Sequence, residues 1–273
     1  VGISILILGF VVFCSLPFKQ ATVQAQVGNF SSFLVMQSVQ IDTAYPIDPS
    51  AAIWCPGIPI KKQAATQFAF FRLMGFKNWQ QLSITAKRQF QASSALLQVA
   101  VEKLPTGFTT SQVALQFSRL LGANYSVGVQ LGVLRRQFHF YHPISIPFAQ
   151  VGSWTALSPS VKYAMSVGFS GREVPINWQR RQFVLLLRSL TSLQVTKSLA
   201  FNLQLEKLYT QRFYWQVGLG MLAGPALHLQ FSYAASPQWW ILHFQFPLKQ
   251  VDLKISLGFQ PMLGTVSGFN ALR

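Results

Sequence analysis

The sequence predicts an all-β fold: a transmembrane antiparallel β-barrel of about 12 to 14 strands, preceded by an irregular, plug-like segment. Three observations lead there. First, apolar and polar residues alternate over long runs, as in LQFSYAASPQWWILHFQFPL, where Leu229, Phe231 and Tyr233 alternate with Gln230, Ser232 and Ala234. A period of two gives each strand one greasy face and one mostly polar face. Second, charge is scarce: Asp, Glu, Lys and Arg are 10% of the 273 residues, while hydrophobic residues reach 51% and aromatic ones 14%. A soluble domain carries about 25% charged residues, so part of the outer surface is expected to meet lipid. Third, beyond the N-terminus no window approaches the ~20 unbroken apolar residues of a membrane helix. A membrane would be crossed by strands.

Residues 1–25 are the exception to that last count. VGISILILGFVVFCSLPF is an apolar run, followed by Lys19-Gln20 and then Val23-Gln24-Ala25, which offers small residues around a cut after Ala25. The segment is expected to be a secretory signal peptide whose charged start would precede Val1, with an anchor helix as the competing reading. Phe13 stands where lipidation of Cys14 would need a small residue. Removal of the signal leaves Cys55 as the sole cysteine, so the mature chain has no internal disulfide. A barrel in which every backbone group is paired supplies stability by another route.

Residues 26–62 show little alternation and many turn formers, including Tyr45-Pro46, Asp48-Pro49-Ser50 and Cys55-Pro56-Gly57. They read as an irregular segment lying in the lumen, with a short helix over Ser32 to Val39. From residue 63 to 273 the strand pattern takes over. Strands are expected at 67–72, 82–90, 96–103, 112–120, 125–138, 160–170, 181–189, 195–208, 213–222, 227–234, 239–246 and 251–259. Their length, about nine to eleven residues in the better cases, suits a tilted membrane strand rather than a soluble sheet. The connections carry the Gly, Asn, Pro and Ser that hairpins need.

The two faces differ in kind. One carries Val113, Leu115, Phe117, Trp215, Leu219, Ile255, Leu257 and Phe259; the other carries Gln, Ser, Gly and Asn with occasional charge. A soluble sandwich would line its second face with Lys, Glu and Asp, and a lipocalin-like barrel, apolar inside, would need a highly charged exterior. Neither is supplied. The residues expected to face the lumen are Glu102, Gln130, Lys162, Gln204, Glu206, Gln216, His228, Gln230, His243, Asp252 and Lys254. Trp178, Trp215, Trp239, Trp240, Tyr209 and Tyr214 fall near strand ends, where interfacial aromatic girdles sit.

No hydrolase elbow, P-loop, zinc spacing or dinucleotide fingerprint is present, so the expectation is a non-enzymatic protein without cofactor. His139 and His142 are three apart on a strand and point to opposite faces, which argues against a metal pair. His228 and His243 sit on the lumen side of neighbouring strands, where packing or hydrogen bonding with Gln230 and Gln245 is the expected role. Luminal charges such as Glu102, Glu206 and Asp252 are expected to pair with cations. The net charge of +16 comes in small groups such as Arg135-Arg136 and Lys61-Lys62. No basic helix or aromatic RNA motif frames them, so nucleic acid is not an expected partner. Outer-membrane lipid and lipopolysaccharide, touched by the barrel rims, explain the charge.

The C-terminal region carries a family resemblance. Glu206-Lys207 at a strand end, Gly218 and Gly220 in the next strand, a Gly224-Pro225 turn, Asp252 opening a strand, and Leu263-Gly264-Thr265-Val266-Ser267 near the close resemble the PorV/PorQ-like outer-membrane barrels of Bacteroidetes. These are relatives of the FadL-type fatty-acid channels. The hairpin LQFSRLLGANYSVGVQLGVLRRQF is similar too, and the likeness spans rather more than the C-terminal half of the chain. Asp48 through Gly57 resembles the family's luminal segment, with Cys55 in place of an Asn; Asp48, Trp54, Pro56 and Gly57 are the implied plug residues. The chain departs at Phe269, which is followed by Asn-Ala-Leu-Arg where such barrels end on an aromatic residue. The resemblance implies an accessory barrel of type IX secretion in the cell outer membrane, touching secretion-system proteins or secreted cargo. The alternative is a FadL-like passive channel for hydrophobic small molecules.

Overall fold

A computed structural model describes residues 49–59, 64–73, 80–103, 108–137, 142–172, 182–208, 213–224, 227–235, 238–248, 251–260 and 264–273. The proposed signal peptide, the short helix at 32–39, Asp48 and His139 lie outside them. One short helix, α1 (Pro49–Trp54), is followed by fourteen strands. In order they are β1 (Ala64–Leu73), β2 (Gln80–Phe90), β3 (Ser93–Lys103), β4 (Thr109–Leu120), β5 (Tyr125–Gln137), β6 (Ile144–Ala156) and β7 (Val161–Arg172). The second half comprises β8 (Gln182–Gln194), β9 (Leu199–Leu208), β10 (Tyr214–Leu222), β11 (His228–Ala235), β12 (Gln238–Pro247), β13 (Asp252–Gln260) and β14 (Gly264–Leu272).

Each strand pairs antiparallel with its sequence neighbours, and β14 returns to β1 to close the barrel. At that seam Thr66 and Arg273 exchange backbone bonds of 3.0 and 2.9 Å, leaving no open edge to aggregate. The described helix is far too short to span a bilayer; among the described residues only the strands are long enough to cross one.

Alternation sets which way each residue faces. On β4, Thr110, Gln112, Ala114, Gln116 and Ser118 are buried, while Val113, Leu115 and Phe117 are exposed. The same holds round the wall, so the outer face is a continuous apolar belt with Phe117 61%, Leu131 57% and Val151 55% exposed. Soluble monomers rarely expose apolar patches beyond a few hundred Å². Inside, buried side chains include Gln67, Gln81, Gln98, Gln112, Gln116, Gln130 and Gln150, the polar interior that such barrels have.

Two strands, β6 and β14, were not among the twelve expected. On β6 the inward residues Ile146, Phe148 and Trp154 are apolar, while Ser145 and Pro147 face out and are exposed. The alternation there is inverted and blurred. On β14, GTVSGFNAL, small residues share both faces. The segment 195–198, expected to begin a strand, is instead the turn before β9, closed by Val195 N–H to Leu199 O at 2.9 Å. The aromatic girdle also needs correction: Trp215 and Trp240 are exposed on the outer face, but Tyr214 and Trp239 are buried inside. Neighbours in sequence alternate faces, so only one of each pair can reach the outside.

The two ends of the barrel differ. At one lie the start of β1, Arg273 and the junctions β2–β3, β4–β5, β6–β7, β8–β9, β10–β11 and β12–β13; at the other lie the junctions β1–β2, β3–β4, β5–β6, β7–β8, β9–β10, β11–β12 and β13–β14. We refer to them as the turn end and the loop end.

Candidate functional site

The site is built where α1 meets the lumen wall. Its helix begins at Pro49, whose missing N–H costs nothing in a first turn. It stops at Cys55-Pro56-Gly57, a turn closed by Ile58 N–H to Cys55 O at 3.0 Å. Pro56 presets the backbone for that turn. Trp54, Cys55 and Ile58 are fully buried and pack against Trp154 on β6, Ala164 on β7 and Leu190 on β8. Ala52 and Ile53 pack on Leu96 of β3.

A helix ending leaves carbonyls without partners, and here the barrel wall supplies the donors. Trp54 O accepts from Gln150 Nε2 at 2.7 Å, Arg188 Nη1 at 3.2 Å and Ser166 Oγ at 3.5 Å. Pro56 O accepts from Gln116 Nε2 at 3.1 Å, and Gly57 O from the Ser126 hydroxyl. The Cys55 thiol donates to Met165 O at 3.3 Å. Arg188 adds its guanidinium 5.5 Å over the Trp54 ring and an ion pair to Glu206 at 3.0 Å. The plug is thus sewn to β4 through β8, and Arg188 carries the connection on to Glu206 of β9.

Glycine makes the close approach feasible. A Cβ at Gly128 would strike Pro56 O; one at Gly152 would lie 2.8 Å from Cys55 Sγ; one at Gly57 would lie 2.5 Å from Ser153 Cα. A side chain at Gly57 or Gly128, where the atoms in the way are backbone, would lift the segment off the wall; at Gly152 the nearest atom is the side-chain sulfur of Cys55. Burial pushes the Cys55 thiol, which lies outside the strands, up to about 12. The thiolate is costly among apolar neighbours, and the hydrogen bonds and nearby Arg188 only partly offset this.

Nearer the loop end, the lumen is lined by apolar clusters. Phe71 on β1, Tyr214 on β10, Trp239 and Ile241 on β12 and Val266 on β14 form one of them. Leu134, Ile146 and Phe148 on β5 and β6, with Ala114 on β4, form another. Each of these Phe rings lies across a glycine: Phe71 Cε1 would be 2.6 Å from a Cβ at Gly268, and Phe148 Cε1 2.6 Å from one at Gly132. Tyr214 donates to Gln216 Oε1 at 3.1 Å, marking where the apolar lining meets the amides.

The residues expected in the lumen are placed as follows. Glu102, Gln130, Lys162, Gln204, Glu206, Gln216, His228, Gln230, His243 and Lys254 are buried, and Asp252 is half-buried. Trp54, Pro56 and Gly57 are buried in the plug. Glu206 is joined to the plug through Arg188. His228 stands opposite Gln245 and His243 opposite Gln230, and His243 Nδ1 lies 2.7 Å from Ser256 Oγ on β13. No group of three or more His, Cys, Asp or Glu among the described residues is disposed to hold a metal. Arg188, Gln150, Ser166 and the glycines at 128 and 152 were not singled out as plug contacts. Arg188 sits in FVLLLRSL, where Leu186 and Leu190 share its inward face and mask the polar signal. Gln150 belongs to the strand that the alternation missed.

No protein-family model matches the chain, and no curated protein sequence matches it. Solved structures do. A FadL homologue of Pseudomonas aeruginosa superposes with a TM-score of 0.59 at 10% identity, over 84% of this chain and 94% of that one. The Pseudomonas putida toluene transporter TodX gives 0.56 at 8% identity, over 84% and 93%. The Acinetobacter baumannii outer membrane protein Omp33 gives 0.50 at 14%, over 77% and 95%. These neighbours lend the PorV/PorQ-type resemblance no support. The chain is a closed, antiparallel, fourteen-stranded barrel with the fold of FadL-type outer-membrane channels.

Proposed function

We propose that the protein is a non-enzymatic, FadL-like channel of the cell outer membrane for passive uptake of hydrophobic small molecules, held closed by the Pro49–Pro59 plug. The observation that carries this reading is the apolar lining near the loop end, where Phe71, Trp239, Ile241 and Phe148 face inward. A plugged lumen suits either a docking barrel or a closed channel; greasy side chains turned into a lumen suit a solute that leaves water. Burial there is worth about 25 cal/mol per Å² of apolar surface. TodX, a toluene transporter by its description, gives the same substrate class. The accessory role in type IX secretion, with cargo or secretion proteins as partners, is the reading set aside.

Lipid contact is supported by the outer belt, and lipopolysaccharide contact by the basic residues at its margins. Passage requires the plug to unseat, because the wall away from it is also filled: Ser232, His243, Ser256 and Asn270 are all buried.

The test uses intact Gram-negative cells making the protein and the dye 1-N-phenylnaphthylamine, which fluoresces on reaching apolar surroundings. Fluorescence is expected to rise faster than in cells with empty vector. Phe71→Gln with Trp239→Gln should slow it, in a barrel that still shows heat-modifiable gel mobility. Equal rates in all three strains would sink the channel reading and return the docking one.

A further inference from the structure

Charge is sorted across the barrel wall. The carboxylates among the described residues, Glu102, Glu206 and Asp252, all occupy inward positions of their strands. Among the described residues the charged side chains of the outer face are cations; at the loop end three of them lie on one arc, β1 to β5, and a fourth, Lys207, is on β9. Arg72 on β1, Lys103 on β3 and Arg135 on β5 are outward and exposed. The register joins them. Arg72 pairs with Gln80 and Gln80 with Lys103, so one row crosses β1 to β3. Arg135 pairs with Ser111, which pairs with Val101, two residues from Lys103.

Strands lie about 4.8 Å apart and residues about 3.4 Å along each strand. Arg72 and Lys103 are therefore about 10 Å apart at the backbone, and Arg135 is offset by two strands and two residues. Long flexible side chains bring the three cationic heads within reach of one headgroup. On their membrane side the same strands expose Leu82, Val113 and Val133, a surface for acyl chains. The opposite arc at this end has another chemistry: Trp215, Tyr233 and Trp240 pack together on the outer face, edge-on and tilted, with ring centroids 5.6 and 4.5 Å apart.

We propose that the β1–β5 arc at the loop end is a binding site for a phosphorylated glycolipid of the outer leaflet, of the lipid A type. It rests on the reading that the barrel spans the outer membrane with its loop end outward. Two guanidinium groups provide planar forks for phosphate oxygens, and Lys103 provides a point charge between them. Gln80, Thr109 and Ser111 intersperse the cations with groups able to bond sugar hydroxyls. A solvated protein surface would mix both signs; a surface of one sign at the edge of an apolar belt fits an anionic headgroup layer.

The experiment titrates the detergent-purified full chain with bis-phosphoryl lipid A, monophosphoryl lipid A and phosphatidylglycerol, reading bound lipid by native mass spectrometry. Bis-phosphoryl lipid A is expected to bind most tightly. Replacing Arg72, Lys103 and Arg135 together by Gln should weaken it by about tenfold or more. Replacing the turn-end cations Arg88, Arg119 and Arg273 by Gln should leave it unchanged. Equal loss in both triple variants, no loss in either, or equal binding of phosphatidylglycerol would overturn the site. Heat-modifiable mobility of each variant reports the fold, and the dye-uptake assay reports the channel. The lipid site can therefore fail with the channel intact, and the channel with the site intact.

Discussion

Replacing Arg188 by Met leaves Glu206 buried and alone. In the native wall Arg188 is 2% exposed and Glu206 7%. The guanidinium binds Glu206 Oε2 at 3.0 Å, Trp54 O at 3.2 Å and Gln150 Oε1 at 3.4 Å. Removing one partner of a buried pair costs about 3–5 kcal/mol, because the remaining charge has lost its compensation. The double variant Arg188→Met with Glu206→Gln removes both charges, so what remains is the lost hydrogen bond to the plug and lost packing, about 1–2 kcal/mol. The double variant is therefore expected to be more stable than the single one. Guanidinium unfolding in lipid vesicles, followed by heat-modifiable mobility, measures both. An Arg188→Met cost below about 1 kcal/mol, as for an exposed pair, would refute the latch. So would additive costs from the two single substitutions.

Further outcomes concern the plug and one turn. Cys55 in the folded barrel should resist alkylation at pH 8; Gly128→Ala, which drives a Cβ into Pro56 O, should speed it by about tenfold or more, whereas Gly168→Ala, whose nearest atoms are 3.6 Å away, should not. The thiol's pKa is raised on folding, from 9.0 to about 12. Its contribution is present in full below about pH 9 and is lost as pH rises toward 12; wild type should lose stability more steeply than Cys55→Ala over that window in an alkaline unfolding series. In the β2–β3 hairpin Gln91 has φ 51°, a conformation that costs a side-chain residue about 1–2 kcal/mol. Gln91→Gly should raise the unfolding midpoint, and an unchanged or lower midpoint would contradict the strain.

Much of the architecture was legible because a period of two is written plainly wherever lipid meets one face and amides the other, as on β4 and β11. It failed where the lumen itself is apolar. On β6, Ile146, Phe148 and Trp154 face inward beneath the loop end and beside the plug, so hydrophobicity no longer distinguishes inside from outside. Arg188 was obscured in the same way by Leu186 and Leu190. The plug was legible as a place, through its Pro-Gly turn, but not as a set of bonds. Its donors come from five strands, β4 to β8, and nothing local links Gln116 to Pro56 or Gly152 to Cys55. Glycines whose purpose is to admit another backbone look, in sequence, like ordinary turn or strand glycines.

The central claim is that hydrophobic solutes pass this barrel only when the plug leaves the wall. A Cβ at Gly152 would lie 2.8 Å from Cys55 Sγ, near the ~3 Å between a Cβ and the far sulfur that an S–S bond of about 2.05 Å implies. Gly152→Cys should therefore close a disulfide that ties the plug to β6. Dye uptake by intact cells making this variant should fall to the empty-vector rate when oxidised and recover on reduction, with wild type insensitive to both treatments. Uptake that continues undiminished through the oxidised, cross-linked barrel would contradict the account.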